Sequence, residues 1–351
     1  PDQKEYRFHH ALVRDAAYAM LSDKGRARGH KRAADWLSSV GMRDPLSLAG
    51  HYDRGGDSGQ AIVWYGRAAE QALEGGDLES VCAHVARALD LGADGDTRGQ
   101  LLSLDSVASY WKSDYQRGRN AGVEAVDQLS EGSASWFVAS GSALVSSARL
   151  ADYETVEAVF DAILETPPRE GASSERLIAM CRGAFQLIFA AKFSRADAVL
   201  ERIADELEMD SSVDALTRAQ GHHVQGVRKA HVGDVAKFLM HLERAVECFE
   251  LAGDRRNTAL ERTTVAWCWA ELGELDRATE LCRANLAHCQ EIKNQQAITY
   301  AQVNLGYILA LSGESTRAEA REVLNEAIRA CRAVGNQRLE GWARAHLTSV
   351  E

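Results

Sequence analysis

A turn recurs along this chain at nearly constant spacing, and that recurrence limits the fold more than any other property of the sequence. Ala270-Glu271-Leu272-Gly273-Glu274-Leu275-Asp276-Arg277-Ala278 closes one apolar helical stretch, turns at Gly273 and opens a second helix whose small Ala278 faces inward. Leu311-Ser312-Gly313-Glu314 lies 40 positions later, and His231-Val232-Gly233-Asp234 lies 40 earlier. Ala191-Lys192-Phe193, Ala151-Asp152-Tyr153, Ser113-Asp114-Tyr115 and Gly76-Asp77-Leu78 continue the series. The apolar residue after the turn is Leu78, Tyr115, Tyr153, Phe193, Val235 and Leu275, at intervals of 37, 38, 40, 42 and 40. A unit of this kind is a helix hairpin that cannot bury its apolar face alone and must stack on its neighbours. An all-α solenoid follows.

The distribution of breakers agrees. Only Pro1, Pro45, Pro167 and Pro168 interrupt 351 residues, a length too great for one compact core unless the architecture repeats. The glycines stand singly or in pairs such as Gly55-Gly56 and Gly75-Gly76, where a turn needs positive φ. Gly56-Asp57 and Gly76-Asp77 are 20 apart, half a repeat, as if each helix there had its own turn. The run Thr166-Pro167-Pro168-Arg169-Glu170-Gly171-Ala172-Ser173 reads as an inter-repeat loop, with a break in the array and a change of curvature expected near 165–174.

Within the units, small residues are expected where helices cross closely: Ala266 with Ala278, Gly306 with Ala318, and Gly226 with Gly233. Trp267, Trp269, Leu305, Leu309, Leu187 and Ile188 are expected to fill the space between helices at helical period. This alternation of small and large resembles the tetratricopeptide repeat in a form of about 40 residues rather than 34. HEAT and armadillo repeats have similar periods, and the small-residue positions favour the tetratricopeptide form. The resemblance runs from about Leu46 to the C-terminus and implies a right-handed superhelical solenoid of helix hairpins over 46–351.

Residues 6 to 37 do not follow the repeat. Tyr6-x-Phe8-x-His10-Ala11-Leu12-Val13-Arg14-Asp15-Ala16-Ala17-Tyr18, then Leu21, Arg26-x-Arg28-x-His30, Ala34 and Leu37, resembles the end of the winged-helix module in bacterial signal-transduction ATPases with numerous domains. In that family a P-loop ATPase precedes the winged helix and tetratricopeptide repeats follow it. The resemblance implies that 1–45 is the last part of that module, that an upstream ATPase domain is a partner in the same polypeptide, and that a kinase, cyclase or transcription-factor domain is the effector. No G-x-x-x-x-G-K-[ST] occurs in this sequence. The chain opens at Pro1 without Met and stops at Glu351 just after a helical pattern restarts at Trp342, so a fragment of a longer polypeptide is expected. By their own pattern, Phe8, Leu12, Ala16 and Ala17 form one apolar face and Ala33, Trp36 and Leu37 another, so two helices are expected to dock on the first repeat as a cap. Lys24, Arg26, Arg28, Lys31 and Arg32 form a basic cluster that reads as a solvated helix face, with a nucleotide-binding domain or DNA as the sharper alternative.

A formal charge of −11 argues against nucleic acid as the main partner. Seven cysteines in apolar helical patterns, without a C-x-x-C pair, suggest the reducing cytoplasm. No apolar run approaches the roughly 18 residues of a membrane span. His222-His223 and His9-His10 cannot chelate as pairs, because adjacent helical residues point about 100° apart. Cys282 and Cys289 share a face beside His288 but find no orienting third group, so packing is the better reading. No metal, cofactor or catalytic residue is assigned.

In a tetratricopeptide array the first helix of each hairpin lines the groove. That resemblance places Gln220, His223 and His231 of one unit, Thr263, Trp267 and Glu271 of the next, Tyr300 and Tyr307 of the last, and Tyr110, Trp111 and Arg149 of earlier units on the concave face. Aromatics with a few polar groups suit a protein or peptide guest. The expected function is a non-catalytic sensor and interaction region of a larger signalling ATPase; the alternative is a stand-alone receptor for a small signalling peptide or ligand.

Overall fold

The computed structural model describes residues 9–209, 213–333 and 336–349. Tyr6 and Phe8 of the N-terminal phrase lie outside them. All regular structure among these residues is helical, and it falls into two compact units, one ending at Glu170 and one beginning at Gly171. The first contains α1 (Ala11–Ala19), α2 (Asp23–Ser39), α3 (Pro45–Arg54), α4 (Ser58–Gly75), α5 (Leu78–Asp90), α6 (Gly95–Trp111), α7 (Tyr115–Gln128), α8 (Ala134–Arg149) and α9 (Tyr153–Glu165). The second contains α10 (Ser173–Phe189), α11 (Phe193–Met209), α12 (Ala215–His231), α13 (Val235–Leu251), α14 (Arg255–Glu271), α15 (Leu275–Glu291), α16 (Gln295–Leu311), α17 (Arg317–Ala333) and α18 (Gln337–Thr348).

The six residues that marked the sequence period, Leu78, Tyr115, Tyr153, Phe193, Val235 and Leu275, are the first residues of α5, α7, α9, α11, α13 and α15. Each hairpin is therefore an even-numbered helix followed by an odd-numbered one. From α2 to α9 in the first unit and from α10 to α18 in the second, each helix packs on the next, and first helices also pack on the first helices of neighbouring hairpins, as α4 on α6, α6 on α8, α10 on α12, α14 on α16 and α16 on α18. This is the layered arrangement of an α–α superhelix.

The turns share one chemistry. A left-handed residue ends a helix about every 20 positions: Gly56, Gly76, Gly233, Gly253, Gly273 and Gly313 do so with glycine, while Ser113, Ala151, Ala191 and Lys293 adopt φ of 53–64° without it. The following residue has two tasks. The Asp254 amide donates back to Phe249 O at 2.9 Å, closing the Schellman ring, and its carboxylate accepts from the Asn257 amide at 3.0 Å, capping the next helix. Asp57, Asp77, Asp114, Asp152 and Asp234 repeat both contacts.

Ala266 and Ala278 are buried as expected, as are Leu187, Ile188, Leu305 and Leu309. The other two small-residue pairs differ. Gly306 faces Leu324, whose Cγ would lie 2.5 Å from an added Cβ, and Ala318 is exposed. The cause is the short 3-10 turn Glu314–Thr316, which delays α17 and brings Ala320 to the buried position. Gly226 admits Phe238 and His241 of α13, while Gly233 forms the turn at φ 78°.

The N-terminal cap also differs. No residue of α1 is buried; Leu12 and Met20 are 83% and 87% exposed, and Trp36 on α2 is 54% exposed. Only α2 docks, burying Ala34 beside Tyr52 and Ala61. Within the basic cluster Lys31 bonds Asp57 at 2.8 Å, Arg26 pairs with Asp23, and Lys24, Arg28 and Arg32 face solvent.

Candidate functional site: the first-helix face

From α6 to α16 the last residue of the first helix, two before the turn, is Trp111, Arg149, Phe189, His231, Glu271 and Leu311, and four residues earlier stand Phe185 on α10, Trp267 on α14 and Tyr307 on α16. One helical turn separates the two positions, so they share a face, and hairpin stacking sets their side chains in rows.

In the second unit the row is joined side chain to side chain. The Tyr307 hydroxyl on α16 donates to Glu271 Oε1 on α14 at 2.6 Å, and its ring lies 4.5 Å from the His346 ring on α18. Burial, reinforced by the Glu271 carboxylate, pushes the Tyr307 hydroxyl up to about 12, so it stays a donor. Burial holds His346 below the ordinary histidine value, against the opposing pull of Glu271. On α10, Phe185 and Phe189 stack at 4.6 Å; the His231 ring stands edge-on to Phe189 at 5.2 Å, and the His223 ring lies parallel to Phe185 at 5.8 Å. His223 Nδ1 approaches Glu261 Oε1 of α14 to 2.7 Å. Arg228 covers the Phe193 ring at 4.7 Å and forks onto Asp197 at 2.6 and 2.9 Å.

In the first unit Arg149 reaches the Tyr110 hydroxyl at 3.5 Å, and Tyr110 meets Trp111 edge-on at 5.7 Å. Trp267 is half-buried, 6.4 Å from Phe238 of α13; Tyr300 packs on the core; Gln220 is half-buried. Thr263 does not reach the face. It is 1% exposed, donates to Ala259 O at 3.0 Å and accepts from Asn285 Nδ2 at 2.8 Å. On α14 this position points into the α14–α15 contact, so Thr263 secures the hairpin, whereas His223, at the same offset on α12, meets Phe185 of α10.

Four residues of this face escaped the sequence reading. Phe185 and Phe189 occupy the offsets that gave Trp267 and Glu271, in a hairpin to which those offsets were not applied. His346 lies on α18, which has no following turn among the described residues to count back from. Glu261 lies between the offsets used and carried no distinguishing signal.

The thiols are packing groups: burial pushes Cys181, Cys268 and Cys282 up to about 12, far from the thiolate a nucleophile needs. Among the described residues no group of three His, Cys, Asp or Glu could hold a metal ion, and no helix is long and apolar enough to cross a membrane. A cleft of about 780 Å³ lies on the opposite side of the hairpins, between α7 and α9, spanned by the Arg119–Asp152 bridge at 2.7 Å.

No protein-family model matches the sequence, and no curated protein matches it. Solved structures do. A signal-transduction ATPase with numerous domains and a tetratricopeptide repeat sensor, from Pyrococcus horikoshii, aligns over 97% of this chain and 51% of its own, at 12% identity and a TM-score of 0.60. This chain thus spans about half the length of that protein. A tetratricopeptide repeat protein from Parabacteroides merdae aligns over 81% of this chain and 99% of its own, at 12% identity and a TM-score of 0.48. A Rap protein complexed with competence and sporulation factor aligns over 97% and 90%, at 12% identity and a TM-score of 0.44. The chain has the tetratricopeptide-type α–α fold, an assignment that rests on the first of these.

Proposed function

We propose that this chain is a non-catalytic binding array that receives a protein or peptide on the face of its first helices. The observation that carries this reading is the row Phe185, Phe189, His231, Trp267, Glu271 and Tyr307, half-buried or exposed on successive first helices, mixing stacked rings with a few fixed polar groups. Such rings bury large area at low entropic cost, and bridged polar groups offer fixed donors and acceptors to a backbone. A photo-crosslinking residue at Trp267 is expected to capture the guest, one at exposed Ala287 on α15 is not, and Trp267→Ala with Tyr307→Ala abolishes capture. Equal capture from both positions excludes the first-helix face.

The array serves as the sensor and interaction region of a larger bacterial signalling ATPase, in the cytoplasm, with 1–45 closing a winged-helix module and 46–351 forming the repeats. This finer reading is supported by the N-terminal phrase and by the fold shared with a sensor-bearing ATPase of that class. The coding sequence upstream of Pro1 tests it: a P-loop motif is expected there, and an open reading frame lacking one removes the reading.

A further inference from the structure

Among the first helices of the second unit, one neighbouring pair stays apart. The backbones of α10 and α12, of α14 and α16, and of α16 and α18 close up on one another, whereas those of α12 and α14 do not, each being held to α13 instead. His223 of α12 and Glu261 of α14 reach across this gap to 2.7 Å. We infer that the proton on His223 is a latch: while bound, it ties α12 to α14 through Glu261, and when it leaves, the wall of first helices parts at this junction. The consequence for a guest rests on the proposed binding face; the latch itself does not.

The contact depends on charge more than on a hydrogen bond. His223 Nδ1 is within 2.7 Å of the carboxylate oxygen but poorly aligned with it, so the attraction of imidazolium for carboxylate is the larger part of the tie and the hydrogen bond the smaller, and a neutral imidazole holds Glu261 less firmly. The Glu261 side chain is 9% exposed and the His223 side chain 28%, so water is poorly placed to replace the partner of either. Phe185 of α10 lies parallel over the imidazole and screens it further. Burial alone lowers the His223 proton affinity, and the Glu261 charge, helped by its hydrogen bond, overcomes it, leaving the group above the ordinary value of 6.5. Glu261 is the charged group that acts on His223; beyond it lies the Cys268 thiol of α14, which Glu271 and Glu243 also reach. The adjacent His222 supplies a contrast within the same helix. It faces α13, 5.8 Å from the His241 ring, and burial with Arg244 and Arg218 against it, and Glu247 for it, holds it low.

The full chain of residues 1–351, without any guest, tests the latch by ring-resolved histidine NMR and by hydrogen exchange on α14, corrected for the intrinsic effect of pH. His223 is expected to titrate above 6.5 and His222 below it, with exchange of the α14 amides rising as pH is raised through the His223 titration. Glu261→Gln is expected to return His223 to 6.5 or lower, and His223→Gln to remove the pH dependence on α14. A wild-type His223 that titrates at or below 6.5, or α14 exchange that ignores its titration, overturns the proposal. Because no guest takes part, failure here leaves the binding face to be judged by the crosslinking experiment.

Discussion

At a hairpin turn, one residue must enter the left-handed region and the next must both end a helix and begin another. Glycine meets the first requirement without strain at Gly273, with φ 88°, but Ala191 meets it at 57° with a Cβ present. A left-handed alanine costs roughly 1–2 kcal/mol, part of which is offset by the smaller entropy it loses on folding. Ala191→Gly is therefore expected to raise stability by about 0.5–1 kcal/mol in urea unfolding, and Gly273→Ala to lower it by about 1 kcal/mol. Identical midpoints for both variants would show that the turns relax. The second requirement falls most often on aspartate, and Asp254→Ala is expected to cost about 1 kcal/mol, with Asp254→Asn much closer to wild type because the amide oxygen still accepts from Asn257, as Asn294 does from Ala297. These pairs made the repeat legible. Where glycine is replaced, as at Ser113 and Ala151, the following Asp114 or Asp152 still marks the turn, so the period survived in the sequence even where its usual residue did not.

Helix contacts were less legible than turns, because they depend on register as well as composition. In the sequence Gly306 and Ala318 look like a close-packed pair, but the 3-10 turn after Gly313 delays the start of α17 by two residues and turns Leu324 into the space above Gly306. Gly306→Ala is expected to cost about 1–3 kcal/mol by overpacking and Leu324→Ala about 2–5 kcal/mol by the cavity it leaves. The double variant is expected to cost less than the sum, since the smaller side chain makes room for the new methyl. Strict additivity in the cycle would mean that the two residues do not meet. Register also decides Thr263: ten residues before its turn on α14 it meets Asn285 of α15 in the hairpin contact, while His223, ten before its turn on α12, meets Phe185 of α10. Trp111, Arg149, His231, Glu271 and Tyr307 were legible because the turn lies close by, whereas Glu261 was not, since its place is defined by the gap between α12 and α14, which no local pattern encodes. The exposed α1 has the same origin. Its apolar face is plain in the sequence, but whether a neighbour covers it is not a property of the helix.

In an array where each hairpin touches only its neighbours, a change of protonation loosens structure locally rather than throughout, and this chain places histidines of opposite sense at different points along it. In the first unit, His30 Nδ1 and His51 Nδ1 stand 3.0 Å apart across α2 and α3, and Tyr18 closes on His30 Nε2 at 2.8 Å. Two imidazoles in that geometry can share one proton on the facing nitrogens but not hold two. Burial, His51 and Arg54 hold His30 low, and burial and Arg54 hold His51 low, so this contact contributes most above 6.5 and is lost as pH falls through the depressed values. His223 has the opposite sign: its contribution is complete below 6.5 and is lost as pH rises through its raised value. His222 and His241 act at the α12–α13 contact in the first sense, which makes α14 the clearer reporter of the latch. Lowering the pH from about 8 to about 5 spans the ordinary histidine range. Over that interval, corrected amide exchange is expected to rise in α2 and α3 and to fall in Thr258–Thr264 of α14, within a single sample. His51→Gln should flatten the first response and leave the second, because α2 and α3 belong to the first compact unit and α14 to the second. If both segments moved in the same direction, the protonation states would be acting through the molecule as a whole, and the picture of a locally coupled array with opposed histidine pairs would have to be given up.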